Sequence, residues 1–513
     1  MLFNSFQFLL IFLPVTLVGW HLACRHLSRQ AALHWLLLCS LVFYSCWYAP
    51  HVLLLGTVVL GNYFLCRGIS SDRGPARKWW LVSAVTANLL VLGWYKYAGF
   101  ILENLPLPRS LEMFHVPAAL PLGVSFFTFQ LVAFAVDVYR GFPAERRPGN
   151  FALVVSFFPH LIAGPILHPR KFLAQFDQHP MQGLRSAELS LGLTWFVVGL
   201  FKKVGIADGV GQWVGGVFDA APGTPLTFLD AWTAALAYTF QLYFDFSGYS
   251  DMAIGLGWMF GLRIPFNFNS PYKATSIVEF WRRWHMTLSQ LLRDYVYIPL
   301  GGNRLGPTRR YTNLMLTMLI GGFWHGAGWS FIVWGGLHGC ALVVAHLWGS
   351  RRSSDGAGGL PPPPSWWQRE AGWVATFAFI IATWVVFRSD SLTRAWEIFK
   401  AMIGMNGVEL PLSYVGLLHR LGLGWLPVRS HADSPWLVFR GLSQWLCLAA
   451  LLAVVRCLPN SQEIMRQVEP TSHSWPQRLL WRPSLVWSLL ISAGLAISLL
   501  RMVKSSEFLY FQF

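Results

Sequence analysis

Two stretches of the chain set ionisable side chains into otherwise apolar surroundings: EFWRRWHMTLS, from Glu279 to Ser289, and GGFWHGAGW, from Gly321 to Trp329. Asp245, Asp251, Arg293, Asp294 and His338 lie in the same region, so carboxylates, guanidinium groups and imidazoles gather within residues 241–339. Ionisable groups are expensive in hydrocarbon and usually face a cavity and act there. A neutral imidazole in such a place can accept a proton near neutral pH. The pattern points to proton-transfer chemistry inside a membrane protein.

The glycine-rich run from Gly321 to Gly339 places His325 between Trp324 and Gly326. Glycine lets backbones approach closely or leave helical geometry, and irregular backbone at membrane depth is tolerated beside protein or a cavity. A working base is the preferred reading of His325; a packed histidine satisfied by a neighbouring helix is the alternative. His338 falls off the face of His325 at helical spacing. Neither these histidines nor any others have metal-ligand spacing, and no metal is expected.

Between Ser276 and Tyr297, Glu279 can pair with Arg282 or Arg283 at helical spacing. An amphipathic interfacial helix fits this segment as well as a functional surface does. Arg282, Arg283 and Arg293 are candidates for a coenzyme's phosphates, to which Arg offers a bidentate fork. The carboxylates in YFDFSGYSD, Asp245 and Asp251, are expected to pair with arginines and line a polar pocket. From Phe157 to Phe176, Pro159, Gly164, Pro165 and Pro169 break any helix repeatedly. A re-entrant loop or tunnel wall is expected there, with His160 and His168 structural.

The elements that must position these groups are membrane helices. Of 513 residues, 54% are hydrophobic and 12% charged, against about 25% charged in soluble domains. The 27 Trp suit interfacial belts. The formal charge of +16 reads as basic cytoplasmic loops, and nucleic acid is not an expected partner. Apolar runs predict spans at 5–24, 31–49, 51–66, 79–98, 115–138, 186–201, 226–246, 311–324, 328–348, 371–388, 435–457 and 483–500, with broken stretches at 151–167, 204–218 and 248–262. The first segment lacks a basic start and a small-x-small cleavage site, so it reads as a retained span. Basic residues follow the first, third and fifth spans (Arg25, Arg29; Arg67, Arg73, Arg77, Lys78; Arg140, Arg146, Arg147), which places the N-terminus outside. Residues 351–366 read as a flexible linker ending in polyproline, and 406–434 as a long connection. The seven scattered cysteines read as small buried hydrophobes.

Several long motifs carry a resemblance. They are MLFNSFQFLLIFLP at the start, PLGVSFFTFQ from Pro121, FFPHLIAGPI from Phe157, YFDFSGYSDMAIGLGWMFG from Tyr243, PFNFNSPYKATSIVEFWRRWHMTLSQLLRDYVYIPLGGNR from Pro265, the run from Gly321 to Gly339, and the terminal FLYFQF. Together they cover nearly the whole chain, which resembles the membrane-bound O-acyltransferase family and, within it, the bacterial branch that O-acetylates alginate. The resemblance implies an all-α, polytopic membrane protein: a ring of about 11–13 transmembrane and re-entrant helices around a central tunnel, as one membrane-embedded domain over 1–513. It implies that His325 is the catalytic histidine and His285 the second polar residue of the site.

The implied reaction is acyl transfer from a cytoplasmic thioester, acetyl-CoA by expectation, to an exported polysaccharide. His325 would take the acceptor's proton, and His285 would orient the acceptor or stabilise the oxyanion. No permanently bound cofactor is expected. The implied setting is the cell inner membrane, among membrane lipid, with a periplasmic N-terminus. The implied partners are periplasmic acetyltransferase proteins and the polysaccharide synthesis and export machinery. Alternative readings remain: an acyltransferase for a lipid, teichoic-acid-like or peptidoglycan acceptor, an ion-coupled transporter, or a structural membrane subunit.

Overall fold

The computed structural model describes all residues except 105–119, 179–182, 184, 222, 355–364, 424–427, 432–437, 467–475, 477–478, 503–507 and 510–513. The join at Glu103–Arg109 and the end of the FLYFQF motif therefore fall largely outside the described residues.

The first four helices run back and forth: α1 (Phe8–His26), α2 (Arg29–Ser45), α3 (Pro50–Ser71) and α4 (Ala76–Asn104). Local signals fix their starts. Ser28 Oγ accepts from Ala31 N at 3.1 Å at the start of α2, and Pro50 occupies the first turn of α3, where no N–H is needed. Next come α5 (Val124–Tyr139), the short α6 (Pro148–Ser156) and α7 (Pro169–Gln178). Between α6 and α7 the chain makes one further turn at Phe158–Leu161 and then loses helical geometry, as the prolines require.

Two long helices form the centre. α8 (Ser186–Gly211) contains a wide π-helical turn at Phe201–Ala207, and α9 runs unbroken over Phe228–Met259. The stretch at 248–262, expected to be a separate broken segment, is the second half of α9. Polarity alone does not end a helix whose buried carboxylates have partners. The two helices meet backbone to backbone. A Cβ added at Gly255 would lie 2.5 Å from the carbonyl oxygen of Gly192, and one at Gly248 would lie 2.7 Å from that of Gly199. The glycines recur seven residues apart on both helices, the spacing at which one face returns.

Two short helices, α10 (Ile277–Arg283) and α11 (Met286–Leu292), precede a hairpin of α12 (Gly306–His325) and α13 (Trp329–Ser354). Then follow α14 (Trp366–Arg388) and α15 (Leu392–Met402). The expected linker at 351–366 is narrower than predicted: α13 continues to Ser354, and α14 starts at Trp366 behind a capping box of Ser365 and Gln368. The polyproline stretch itself lies outside the described residues. The connection at 406–434 contains a small parallel pair instead of loop alone: β1 (Val408–Pro411), α16 (Leu412–Arg420) and β2 (Val428–His431), with Val408 opposite Val428. α17 (Leu442–Cys457) and α18 (Leu485–Arg501) are the last of the longer described helices, with one further turn at Ser461–Ile464 between them.

Among the described residues, six helices are long and apolar enough to cross a membrane, and α5, α17 and α18 are shorter apolar ones. The chain is an all-α multi-pass membrane protein. One continuous core of buried aromatic and aliphatic side chains reaches from Phe3 to Leu509 and includes Trp195, Trp334 and Trp384.

Candidate active site

The site begins with a break. The segment from Ser276 to Tyr297 is not one interfacial helix: α10 ends at Arg283, Trp284 is extended, and His285 adopts left-handed geometry (φ 43°, ψ 52°) before α11 starts. That conformation is uncommon for any residue but glycine and costs of the order of 1 kcal/mol or more. Neighbouring backbone holds it. Asn269 N donates to Arg283 O at 2.9 Å, and Met286 N donates to Asn267 O at 2.9 Å. The Thr287 hydroxyl donates to Asn267 Oδ1 at 2.6 Å and accepts from Ile166 N at 3.0 Å. The broken segment after Phe157, the irregular run at 265–269 and the His285 joint are thereby tied at one side chain. The break turns the buried His285 imidazole edge-on to Phe246 of α9, with ring centroids 4.8 Å apart.

His325 is the last residue of α12. Gly326 is extended and ends the helix, and the chain turns through Gly326–Gly328 into α13. Gly322 and Gly335 face each other across this hairpin, and a Cβ at either would strike the other helix's backbone. That close crossing is what the glycines of the run provide. The His325 imidazole is boxed edge-to-face by Trp334 and Phe387, each 5.3 Å away, and lies 6.4 Å from the ring of His285. The structure thus brings together the two histidines that the sequence singled out, one from the break between α10 and α11 and one from the end of α12, forty residues apart.

His338 lies behind them. The helix break puts it on α13, where a single-helix projection does not apply. Its Nδ1 accepts from Trp281 Nε1 at 3.2 Å and its Nε2 faces Thr383 Oγ1 at 3.2 Å, while that hydroxyl donates to Ile380 O. With Nδ1 accepting, Nε2 carries the proton, so His338 is held neutral as a structural brace. His160 is also buried and structural, its Nε2 within 3.0 Å of Val154 O.

Two cavities lie near the pair, and of the two histidines only His325 lines one of them, the smaller. The smaller, about 80 Å³, is lined by His325, Trp324, Lys96, Gly123, Ser125 and Trp47 among others. The larger, about 260 Å³, is lined by His168, Lys171, Arg263, Gln290, Asp294 and Thr287 among others. A small apolar cluster of Phe126, Ile166, Leu288, Leu292 and Trp324 stands between them, with Ile166 facing the larger cavity and Phe126 and Trp324 the smaller.

The three arginines do not converge on this arrangement. Arg283 reaches Glu279 at 2.7 Å and Asn269 O at 3.2 Å, and so braces α10. Arg282 is exposed, and Arg293 is exposed beside Asp294. None of the three lines either cavity. The carboxylates of α9 also differ from expectation. Asp245 pairs with Lys203 at 2.7 Å and Asp251 with Lys202 at 2.6 Å, not with arginines. Both lysines come from the π-helical turn of α8, in the gap between the predicted span at 186–201 and the broken stretch expected at 204–218. Ser461 Oγ donates to Asp251 at 2.7 Å, and Leu509 N donates to Asp245 Oδ2 at 3.1 Å, which draws the end of the chain to α9.

Sequence reasoning missed Lys96 and Tyr97. A second π-helical turn, Gly93–Tyr97, interrupts α4. From it Lys96 Nζ reaches the carbonyls of Trp324 and His325 at 2.7 and 2.8 Å, and Tyr97 Oη that of Phe323 at 2.8 Å. The available signal was a lone lysine in an otherwise apolar span.

Residues 148–384, a range that includes both histidines, match the membrane-bound O-acyltransferase family model. The chain is 42% identical over 438 residues to a peptidoglycan O-acetyltransferase of Helicobacter pylori, covering 80% of this chain and 81% of that protein. It is likewise 42% identical over 419 residues to the probable alginate O-acetylase AlgI of Pseudomonas aeruginosa, covering 80% and 76%. A teichoic acid D-alanyltransferase of Streptococcus thermophilus is 28% identical over 298 residues, 54% of this chain and 69% of that protein.

Proposed function

Since the chain belongs to the membrane-bound O-acyltransferase family and is an O-acyltransferase of the membrane, we propose that it moves an acetyl group from a cytoplasmic thioester, acetyl-CoA, across the inner membrane for O-acetylation of an exported polysaccharide. The observation that carries the site assignment is the meeting of His285 and His325, 6.4 Å apart and buried, with His325 on the wall of a cavity. Alginate and peptidoglycan glycan are both acceptors of this class, and the named relatives favour neither over the other.

In this reading a neutral His325 removes the proton from the acceptor hydroxyl as that oxygen attacks the thioester carbonyl. The tetrahedral adduct then collapses, re-forming the carbonyl as the ester while the C–S bond breaks and the coenzyme thiolate leaves, and the imidazolium gives its proton to that sulfur. General-base assistance of this kind contributes about 10²–10⁴-fold. His285, on its left-handed backbone, orients the acceptor or stabilises the developing oxyanion. The donor enters by the larger cavity, where Lys171 and Arg263 offer the nearest cationic groups; Arg282, Arg283 and Arg293 act at most at its approach. The periplasmic N-terminus follows from the basic loops after α1, α3 and α5, and transfer beyond the membrane is completed by periplasmic acetyltransferase partners and the polysaccharide machinery.

The test uses inner-membrane vesicles that contain the full chain with its polysaccharide machinery. They are supplied with [14C]acetyl-CoA on the cytoplasmic face, and label in the polymer is counted. His325→Asn should lower incorporation at least a hundredfold while the variant still elutes as a single species in detergent. A folded His325→Asn protein with wild-type incorporation removes the base assignment.

A further inference from the structure

We propose that Lys96 is a positioning residue for His325, and that α4 thereby sets the geometry of the reaction; this rests on the reading of His325 as the base. A helix leaves its last carbonyls without intrahelical donors. Gly326 is extended, so the carbonyls of Phe323, Trp324 and His325 have no onward turn. Inside the protein such carbonyls are met by other parts of the chain or by water in a cavity, and here the chain meets them.

All three carbonyls are met from one short segment of another helix. Tyr97 Oη donates to Phe323 O at 2.8 Å and stacks on the Phe323 ring, with centroids 4.1 Å apart. Lys96 Nζ donates to Trp324 O at 2.7 Å and to His325 O at 2.8 Å. Its third hydrogen points at Ser125 Oγ of α5, 3.4 Å away. One nitrogen therefore joins α4, α5 and the end of α12. A cation at a helix C-terminus also opposes the partial negative charge of the aligned carbonyls. The wide turn at Gly93–Tyr97 gives this segment a backbone path that a regular helix would not, and such turns are frequent at functional sites.

The alternative for a lone lysine here is a packing role, which an uncharged side chain of similar length would fill without the cost of an ammonium in hydrocarbon. The specific geometry argues against it: all three hydrogens are directed, and two of them fix the peptide that carries the imidazole. A shift of about 1 Å at a reacting group is enough to cost about a hundredfold in rate. A positioning defect of this kind lowers kcat and leaves substrate binding alone.

The experiment compares Lys96→Met, Tyr97→Phe and His325→Asn in the full chain, in the same vesicles, with [14C]acetyl-CoA varied and protein amount fixed by immunoblot. Lys96→Met should lower kcat at least tenfold with KM for acetyl-CoA within twofold, and Tyr97→Phe should lower kcat about threefold. Wild-type kcat in Lys96→Met overturns the proposal, and so does a loss that appears in KM alone. If Lys96→Met does not accumulate as a folded protein, Tyr97→Phe decides: unchanged kcat there overturns the proposal. His325→Asn separates the two readings. If it is active, the base assignment fails; if it is inactive while Lys96→Met is normal, only the positioning role fails.

Discussion

Replacing Lys203 by Met should destabilise the protein more than any surface change, because it strands two carboxylates. Lys203 Nζ lies 2.7 Å from both Asp245 Oδ1 and Asp208 Oδ1; its side chain is 4% exposed, that of Asp245 1% and that of Asp208 18%. At 2.7 Å and an effective dielectric near 20, one such pair has a gross attraction of about 6 kcal/mol. Desolvation offsets most of that gain, so the pair itself adds little net stability. Removing one partner is a different matter and costs about 3–5 kcal/mol, since the other charge stays buried. With an unfolding entropy of about 2.1 cal/mol/K per residue, a 513-residue chain would lose about 3–5 °C in melting temperature. The double variant Lys203→Met/Asp245→Asn should recover part of the loss, because the Asn side-chain oxygen can still accept from Leu509 N. The assay is thermal unfolding of detergent-solubilised protein followed by size-exclusion fluorescence, for the wild type, both single variants and the double variant. A Lys203→Met protein melting within about 1 °C of wild type would refute the account of this pair as a buried charge couple.

Four further outcomes follow from the geometry. Thr287→Val leaves Ile166 N and Asn267 Oδ1 without their shared hydroxyl, at about 1–3 kcal/mol per group; it should lower the melting temperature and reduce acetyl transfer, measured in the vesicle assay. Arg293→Ala should leave transfer within twofold of wild type, since that side chain is 71% exposed and lines neither cavity, whereas Lys171→Met should raise KM for acetyl-CoA severalfold if the larger cavity admits the donor. Gly248→Val places branched carbon against Gly199 O and Lys203 N and should prevent accumulation of folded protein in the membrane, read by detergent extraction and immunoblot.

Much of the helix inventory was legible because membrane spans announce themselves by long apolar runs: α1 and α18 begin and end close to the predicted runs, while α3, α4 and α14 cover theirs and overrun one end by five or six residues. The two histidines were legible for the opposite reason: ionisable groups stand out where everything else is apolar. What the sequence could not reveal is which polar groups face one another. Asp245 and Asp251 have arginines within forty residues along the chain, yet they pair with lysines that α8 brings across the seam. The break at His285 was hidden because nothing in RWHMTLS forbids a continuous helix; it is imposed by tertiary bonds to Asn267 and from Asn269 to Arg283. Lys96 was hidden inside an apolar run, and its role depends on where α12 stops. The strands at 408–411 and 428–431 were missed because four-residue segments carry too little periodicity to stand out from loop.

The glycine seam between α8 and α9 has a mechanical corollary. Where two main chains touch at their glycines, with only Met252, Met259 and Lys202 close beside the contact, few rotamers can swing aside. Such a joint can be whole or broken, with little in between. These two helices should therefore travel as a single rigid keel during turnover. Any breathing that admits a bulky acceptor has to occur along other boundaries, such as that where Phe126 and Trp324 meet Ile166, Leu288 and Leu292 through side chains alone.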